Sequence, residues 1–123
     1  MKHRIANIQS LLTKHKLDAL LIEDRPNLYH LAGFTGTTAS LLVTANHSYL
    51  LVDHRYLQQA HSQCPDQQIK VYDQIFNGFV LELKKIISAH DIQSIGFDGT
   101  TIVYNRIESL KAAINAHLIP QDL

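Results

Sequence analysis

Apolar positions along the chain change period several times, and each change marks an element. Ile5, Ile8, Leu11 and Leu12 recur at helical spacing with polar residues between them, which predicts an amphipathic helix from about His3 to Lys14 or His15. Leu17-Asp18-Ala19-Leu20-Leu21-Ile22 is a short apolar run without clean alternation, the pattern of a strand buried on both faces. Asp24-Arg25-Pro26 opens a second, short helix, because proline suits a first turn where its missing N–H would have had no partner. Gly33 ends that helix, and its body presents Leu28 and Leu31 to one side.

Ala39–Thr44 and Ser48–Asp53 are apolar runs separated by Ala45-Asn46-His47. Asn46 tolerates the left-handed backbone of a tight turn, so the two read as an antiparallel hairpin. Asp53 caps a helix to about Ser62 or Gln63, with Tyr56, Leu57, Ala60 and His61 as its inner face. Gln68–Tyr72 alternates as a strand does. Asn77–Ala89 is the longest helix, with Phe79, Leu83, Ile86 and Ile87 on one stripe. Ser94–Phe97 is a further buried strand. Tyr104–Ala116 is the last helix, with Ile107, Leu110 and Ile114 facing in, and Leu118-Ile119 is a final short strand interrupted by Pro120. Strands that alternate with helices predict a single α/β domain. The hairpin makes its sheet mixed, with five or six strands and helices on both faces. Gly33-Phe34-Thr35-Gly36-Thr37-Thr38 resembles Gly96-Phe97-Asp98-Gly99-Thr100-Thr101, but the first segment precedes a strand and the second a helix, so the likeness reads as coincidence.

Composition narrows the function classes. The chain has 123 residues, 46% of them hydrophobic and 18% charged, an ordinary globular balance that excludes a disordered chain. Eleven basic side chains match eleven acidic ones, so no net field draws in nucleic acid or an anionic membrane. No apolar stretch approaches the roughly 20 residues of a membrane span, and polar residues break up the segment after the basic N-terminus, unlike a signal peptide. One cysteine permits no internal disulfide. These features together predict a cytoplasmic chain.

The chemistry-bearing residues do not assemble into a catalytic motif. Eight histidines are present, but no pair has the spacing that two ligands on one helix need. His47, His54 and His61 fall in a turn, at a helix start and inside a helix. Cys64 lies beside Pro65 at a helix end, where the dipole disfavours a thiolate, and no Gly-x-Ser-x-Gly elbow occurs. Gly33-x-x-Gly36-Thr37-Thr38 lacks the Gly-Lys-Ser/Thr ending of a phosphate loop and leads into a strand. Asp98 would repel an anion, and Thr100 or Thr101 reads as a helix cap. Glu23, Asp24 and Asp91 read as loop or cap residues.

Three features exceed a plain scaffold. Phe34-Thr35-Gly36-Thr37-Thr38 is a small, flexible loop that carries a large aromatic, and such loops often serve function on a rigid frame. Asp53-His54-Arg55-Tyr56 stands where a strand meets a helix, and Arg55 in a first helical turn opposes the dipole. It calls for a carboxylate, Asp53 or a distant one, or for a partner surface. Asn27-Leu28-Tyr29-His30-Leu31 places a tyrosine and a histidine on a short helix, where core or cap use explains them.

In order, Asn27-x-Tyr29-x-Leu31-x-Gly33-Phe34-x-Gly36, then Leu50-Leu51-Val52-Asp53-x-Arg55-Tyr56, then Gln59-Ala60, resemble the creatinase/prolidase N-terminal domain. That domain precedes the catalytic domain of Xaa-Pro aminopeptidases, Xaa-Pro dipeptidases and creatinases. The resemblance covers nearly the whole chain, residues 1–123, and implies a six-stranded mixed sheet in a ribonuclease-H-like arrangement. It also implies that catalysis lies elsewhere. A C-terminal "pita-bread" domain, which would follow Leu123, would hold two divalent metals, commonly manganese, on two Asp, one His and two Glu. No cofactor or metal ligand is expected in this chain. The implied partners are that catalytic domain, a second copy in a homodimer, and Xaa-Pro peptides. By the same resemblance Phe34, Thr35, Gly36, Thr37 and Thr38 would shape the active-site mouth, and Asp53, Arg55 and Tyr56 would serve substrate access or the interface. The alternative is a stand-alone α/β module for a small ligand or for dimerisation.

Overall fold

The computed structural model describes residues 2–74 and 77–121. The predicted domain ends, Met1 and Leu123, lie outside the described residues. The elements run α1 (Lys2–His15), β1 (Ala19–Ile22), α2 (Arg25–Ala32), β2 (Ser40–Thr44), β3 (Ser48–Asp53), α3 (Leu57–Gln63), β4 (Gln68–Tyr72), α4 (Gly78–His90), β5 (Ser94–Asp98), α5 (Tyr104–Ala113) and β6 (His117–Gln121), with a 3-10 turn at His54–Tyr56 before α3. The six strands form one sheet in the order β4-β3-β2-β1-β5-β6.

Alternation along the central strands builds two cores. Ala19, Leu21, Leu42, Tyr49, Leu51, Ile95 and Phe97 face Phe79, Leu83 and Ile86 of α4 and Ile107 and Leu110 of α5. Leu20, Ile22, Leu41, Val43, Leu50 and Val52 face Ile5 and Leu12 of α1, Leu28 and Leu31 of α2, and Ala60 of α3. Every residue of β1 and β2 is buried, as unbroken apolar runs require of strands covered on both sides. The mixed sheet with helices on both faces is therefore the observed architecture.

β2 runs antiparallel to β1 and to β3, whereas β4 is parallel to β3, β5 to β1 and β6 to β5. The carboxyl ends of β1, β3, β4, β5 and β6 therefore gather at one end of the sheet, together with the start of β2. Helix caps shape this end. Asp24 caps α2 through the Asn27 amide at 3.2 Å, and Gly33 closes the helix at φ 82°, in the left-handed region where glycine carries no penalty. Its N–H reaches the Tyr29 carbonyl at 2.9 Å.

Four local expectations are corrected. The last helix ends at Ala113, because Ile114 is already extended at φ −122°, ψ 158°; Ile114 and Ala116 nevertheless remain in the core. Thr100 and Thr101 do not cap it. The helix starts three residues later, and the Asp98 carboxylate instead accepts from the Thr100 amide and hydroxyl at 2.9 and 2.7 Å. His61 is exposed, not on the inner face of α3. Pro120 does not interrupt β6: it pairs with Phe97 on an edge strand, the place where a missing donor is tolerated.

Candidate functional site

The segment between α2 and β2 is built inward before it is exposed. Phe34 is only 1% exposed, within the core beneath α2, and meets the Tyr56 ring edge-on at 5.8 Å. A Cβ on Gly36 would lie 2.4 Å from a Phe34 ring carbon and 3.0 Å from Tyr56, so only glycine fits there. The Thr37 and Tyr56 hydroxyls are hydrogen-bonded to each other. Thr35 is clamped from α3: its amide donates to Gln63 Oε1 at 3.0 Å, and its hydroxyl accepts from Gln63 Nε2 at 2.8 Å and Gln59 Nε2 at 3.0 Å. The flexible loop expected from small residues is a tethered one.

Asp53 ends β3 and is 4% exposed. It caps the 3-10 turn through the Arg55 amide at 2.9 Å and accepts from the Arg55 guanidinium at 2.8 Å and from Gln74 at 3.0 Å. The Arg55 bonds hold its carboxyl below the usual carboxylate range, against the opposing effect of burial. Arg55 thus finds its counter-charge locally. Its side chain remains 67% exposed, with the guanidinium 5.3 Å from the Tyr56 ring centroid.

Beside these residues, on the face of α4 and α5, lies a cleft of about 510 Å³. Its lining comes from Thr37, Thr38 and Ser40 at the start of β2, Tyr72 and Gln74 at the end of β4, Asn77 to Val80 at the start of α4, and the Glu23–Arg106 pair. Arg106 donates to both Glu23 oxygens, at 3.1 and 2.8 Å. Ser40 donates to Glu23 at 2.6 Å, and the guanidinium lies 4.5 Å from the Phe79 ring centroid. The pair joins β1 to α5 across 83 positions of sequence. Sequence reasoning passed over it, treating Glu23 as a loop or cap residue. The available signal is a charged residue directly after a fully buried strand, which needs a partner.

The eight predicted site residues therefore divide. Thr37 and Thr38 line the cleft. Phe34 belongs to the core on the other face and Gly36 packs against its ring, while Thr35 faces α3. Asp53 is a buried anchor, and Arg55 and Tyr56 form an adjoining rim. Cys64 belongs to the opposite core, at 2% exposure, and burial pushes its thiol up to about 11. A dinuclear metal centre needs several converging carboxylates and imidazoles. Among the described residues no three His, Cys, Asp or Glu come together to hold an ion, so these residues do not fit such a centre. No described helix is long and apolar enough to cross a membrane.

A mixed six-stranded sheet of this order, with a tethered loop and an Asp-x-Arg-Tyr corner at its carboxyl end, defines a single α/β domain. The sequence matches the creatinase/prolidase N-terminal domain over residues 4–123, and the chain belongs to that family. The fold is similar to that of an Xaa-Pro dipeptidase from Bacillus anthracis (TM-score 0.89, 26% identity, 98% of this chain and 33% of that one). It is also similar to the N-terminal domain of the cytoplasmic peptidase PepQ from Mycobacterium tuberculosis H37Rv (TM-score 0.84, 26% identity, 98% and 93%). An Xaa-Pro aminopeptidase from Streptococcus thermophilus gives a TM-score of 0.86 at 26% identity, covering 98% of this chain and 91% of that one. The uncharacterized peptidase YqhT of Bacillus subtilis strain 168 is 23% identical over 120 residues. This chain spans about a third of the length of that relative and of the Bacillus anthracis structure.

Proposed function

We propose that this domain is the non-catalytic N-terminal part of an Xaa-Pro aminopeptidase or dipeptidase, where it contributes to dimerisation and shapes substrate access. The family match over residues 4–123 carries the reading, and the one-third coverage of the Bacillus anthracis dipeptidase supports it. The two divalent cations, manganese by the family resemblance, then belong to a catalytic domain that follows, in a cytoplasmic protein. This chain's part is mechanical. A rim limits which peptides reach a closed site and keeps water out, as gating elements do.

The tethers around Thr35, Thr37 and Tyr56 favour a stiff rim, one that selects by shape. Thr37 and Thr38 offer hydroxyls to a passing peptide backbone. Arg55, charged and exposed above its Asp53 anchor, suits a peptide carboxylate or an acidic patch on a second subunit. The test is an assay of the purified 123-residue chain with an Xaa-Pro dipeptide and manganese. No turnover above buffer is expected; robust turnover that co-purifies with the chain would overturn the division of labour. Sedimentation of the longer protein addresses dimerisation, and Arg55→Glu is expected to shift it toward monomer. An unchanged dimer would remove Arg55 from the interface.

A further inference from the structure

On the opposite face from the cleft, a second cavity of about 330 Å³ opens between α1, α2 and the ends of β1 and β5. Its position follows from topology. β1 and β5 are adjacent and parallel, yet β1 leads into α2 on one face and β5 into α5 on the other. Neighbouring strands whose following helices part to opposite faces leave a crevice at their carboxyl ends, the usual place for a ligand in open α/β sheets.

The cavity has an apolar floor and a polar mouth. Ile8, Leu11, Leu20, Ile22 and Leu31 line the interior. At the mouth stand Asp24 and Asp98, each with one oxygen engaged: Asp24 Oδ2 serves Asn27 at 3.2 and 2.9 Å, and Asp98 Oδ1 serves Thr100. Among the described residues neither carboxylate forms an ion pair. Arg4, the cation at the same mouth, donates one of its N–H groups to the His30 carbonyl at 2.7 Å and keeps its charge, so the two carboxylates outnumber it there. The Thr100 bonds keep Asp98 ionised by holding its carboxyl below the usual range.

We propose that this cavity binds a small organic cation with a branched aliphatic body, such as the amino end of an apolar amino-acid residue. The aliphatic part occupies the floor, and the protonated amine donates to the free oxygens of Asp24 and Asp98. An ammonium has three donors and no acceptor, which matches a mouth whose unengaged groups include two carboxylate oxygens. The volume lies at the lower end of small-molecule sites, enough for one or two residues. Nothing in this inference depends on the reading of the cleft.

The test titrates the isotope-labelled chain with leucinamide, N-acetylleucinamide and N-acetylleucine, which keep the body and change the charge from positive to neutral to negative. Leucinamide is expected to shift the amides of Leu20, Ile22 and Leu31 saturably at millimolar concentration, with N-acetylleucinamide about threefold to tenfold weaker and N-acetylleucine weaker still. Asp98→Asn keeps the acceptor for Thr100 but removes the charge, and should erase most of the preference. Leu11→Trp should fill the cavity and abolish the shifts. Equal binding of the three probes, no saturable shift by about 50 mM, or shifts centred on Glu23 and Arg106 would each overturn the proposal. So would an amine preference that survives in both Asp98→Asn and Asp24→Asn.

Discussion

Gly36→Ala tests whether the rim is packed as tightly as its contacts imply. The new Cβ would lie 2.4 and 2.6 Å from two Phe34 ring carbons and 3.0 Å from a Tyr56 carbon, where ordinary carbon contacts are about 3.5–4.0 Å. Phe34 must therefore retreat by about 1 Å, the shortfall against that spacing, and at 1% exposure it has no solvent to move into. Overpacking of this kind costs about 1–3 kcal/mol. For a chain of this length that is a fall in Tm of about 4–12 °C, measured by thermal unfolding. Phe34→Leu relieves the contact, so the double variant should be less destabilised than the sum of the single variants, by at least about 0.5 kcal/mol. A Gly36→Ala protein melting within about 1 °C of the parent, or strict additivity in the cycle, would refute the packing described.

Three more expectations follow from buried polar groups and the thiol. Asp53→Asn should cost about 1.5–3 kcal/mol at neutral pH through its charged hydrogen bonds. Because the folded pKa of Asp53 is lowered, its contribution is present above the unfolded value near pH 4 and is lost as pH falls through the folded value. The stability gap between variant and parent should therefore close below about pH 4; a gap constant from pH 7 to 2 would contradict this. Arg106→Met removes the partner of half-buried Glu23 and should destabilise by about 1–3 kcal/mol, with Glu23→Gln in the same chain recovering part of the loss in denaturant melts. Cys64, with its thiol at about 11, should have a thiolate fraction of about 0.001 at pH 8, against about 0.2 for a free cysteine. Labelling by a thiol reagent should then be at least about a hundredfold slower until the chain is unfolded.

The layer order was legible because period is a local property. β1 and β2 carry unbroken apolar runs and lie mid-sheet, and Phe79, Leu83 and Ile86 repeat at helical spacing and pack on one face. The cap positions at Asp24 and Gly33 were legible for the same reason, since each acts within three or four residues, whereas Asp53 caps the 3-10 turn and not α3, which begins after Tyr56. Misreadings arose where two local signals compete. Asp98 offers Thr100 a turn, which displaces the start of α5 to Tyr104. Ile114 continues the helical stripe while its backbone has already become extended. The site itself was half legible. Motif order singles out the candidate residues, but not which of them point inward, because Phe34 and Gly36 are placed by contact with Tyr56, some twenty positions later. The Glu23–Arg106 bridge shows locally only a charge directly after a buried strand, and its partner stands 83 positions away.

The most direct measurement is the ratio of kcat/KM for an Xaa-Pro dipeptide to that for a longer peptide with the same first two residues. It is compared between the proposed full-length peptidase and a form in which the Phe34–Thr38 loop is shortened while Gly33 and Ala39 are kept. A domain that shapes access predicts a shift of that ratio toward the longer peptide, with the dipeptide cleaved as before. An unchanged ratio in a protein that still folds would contradict it.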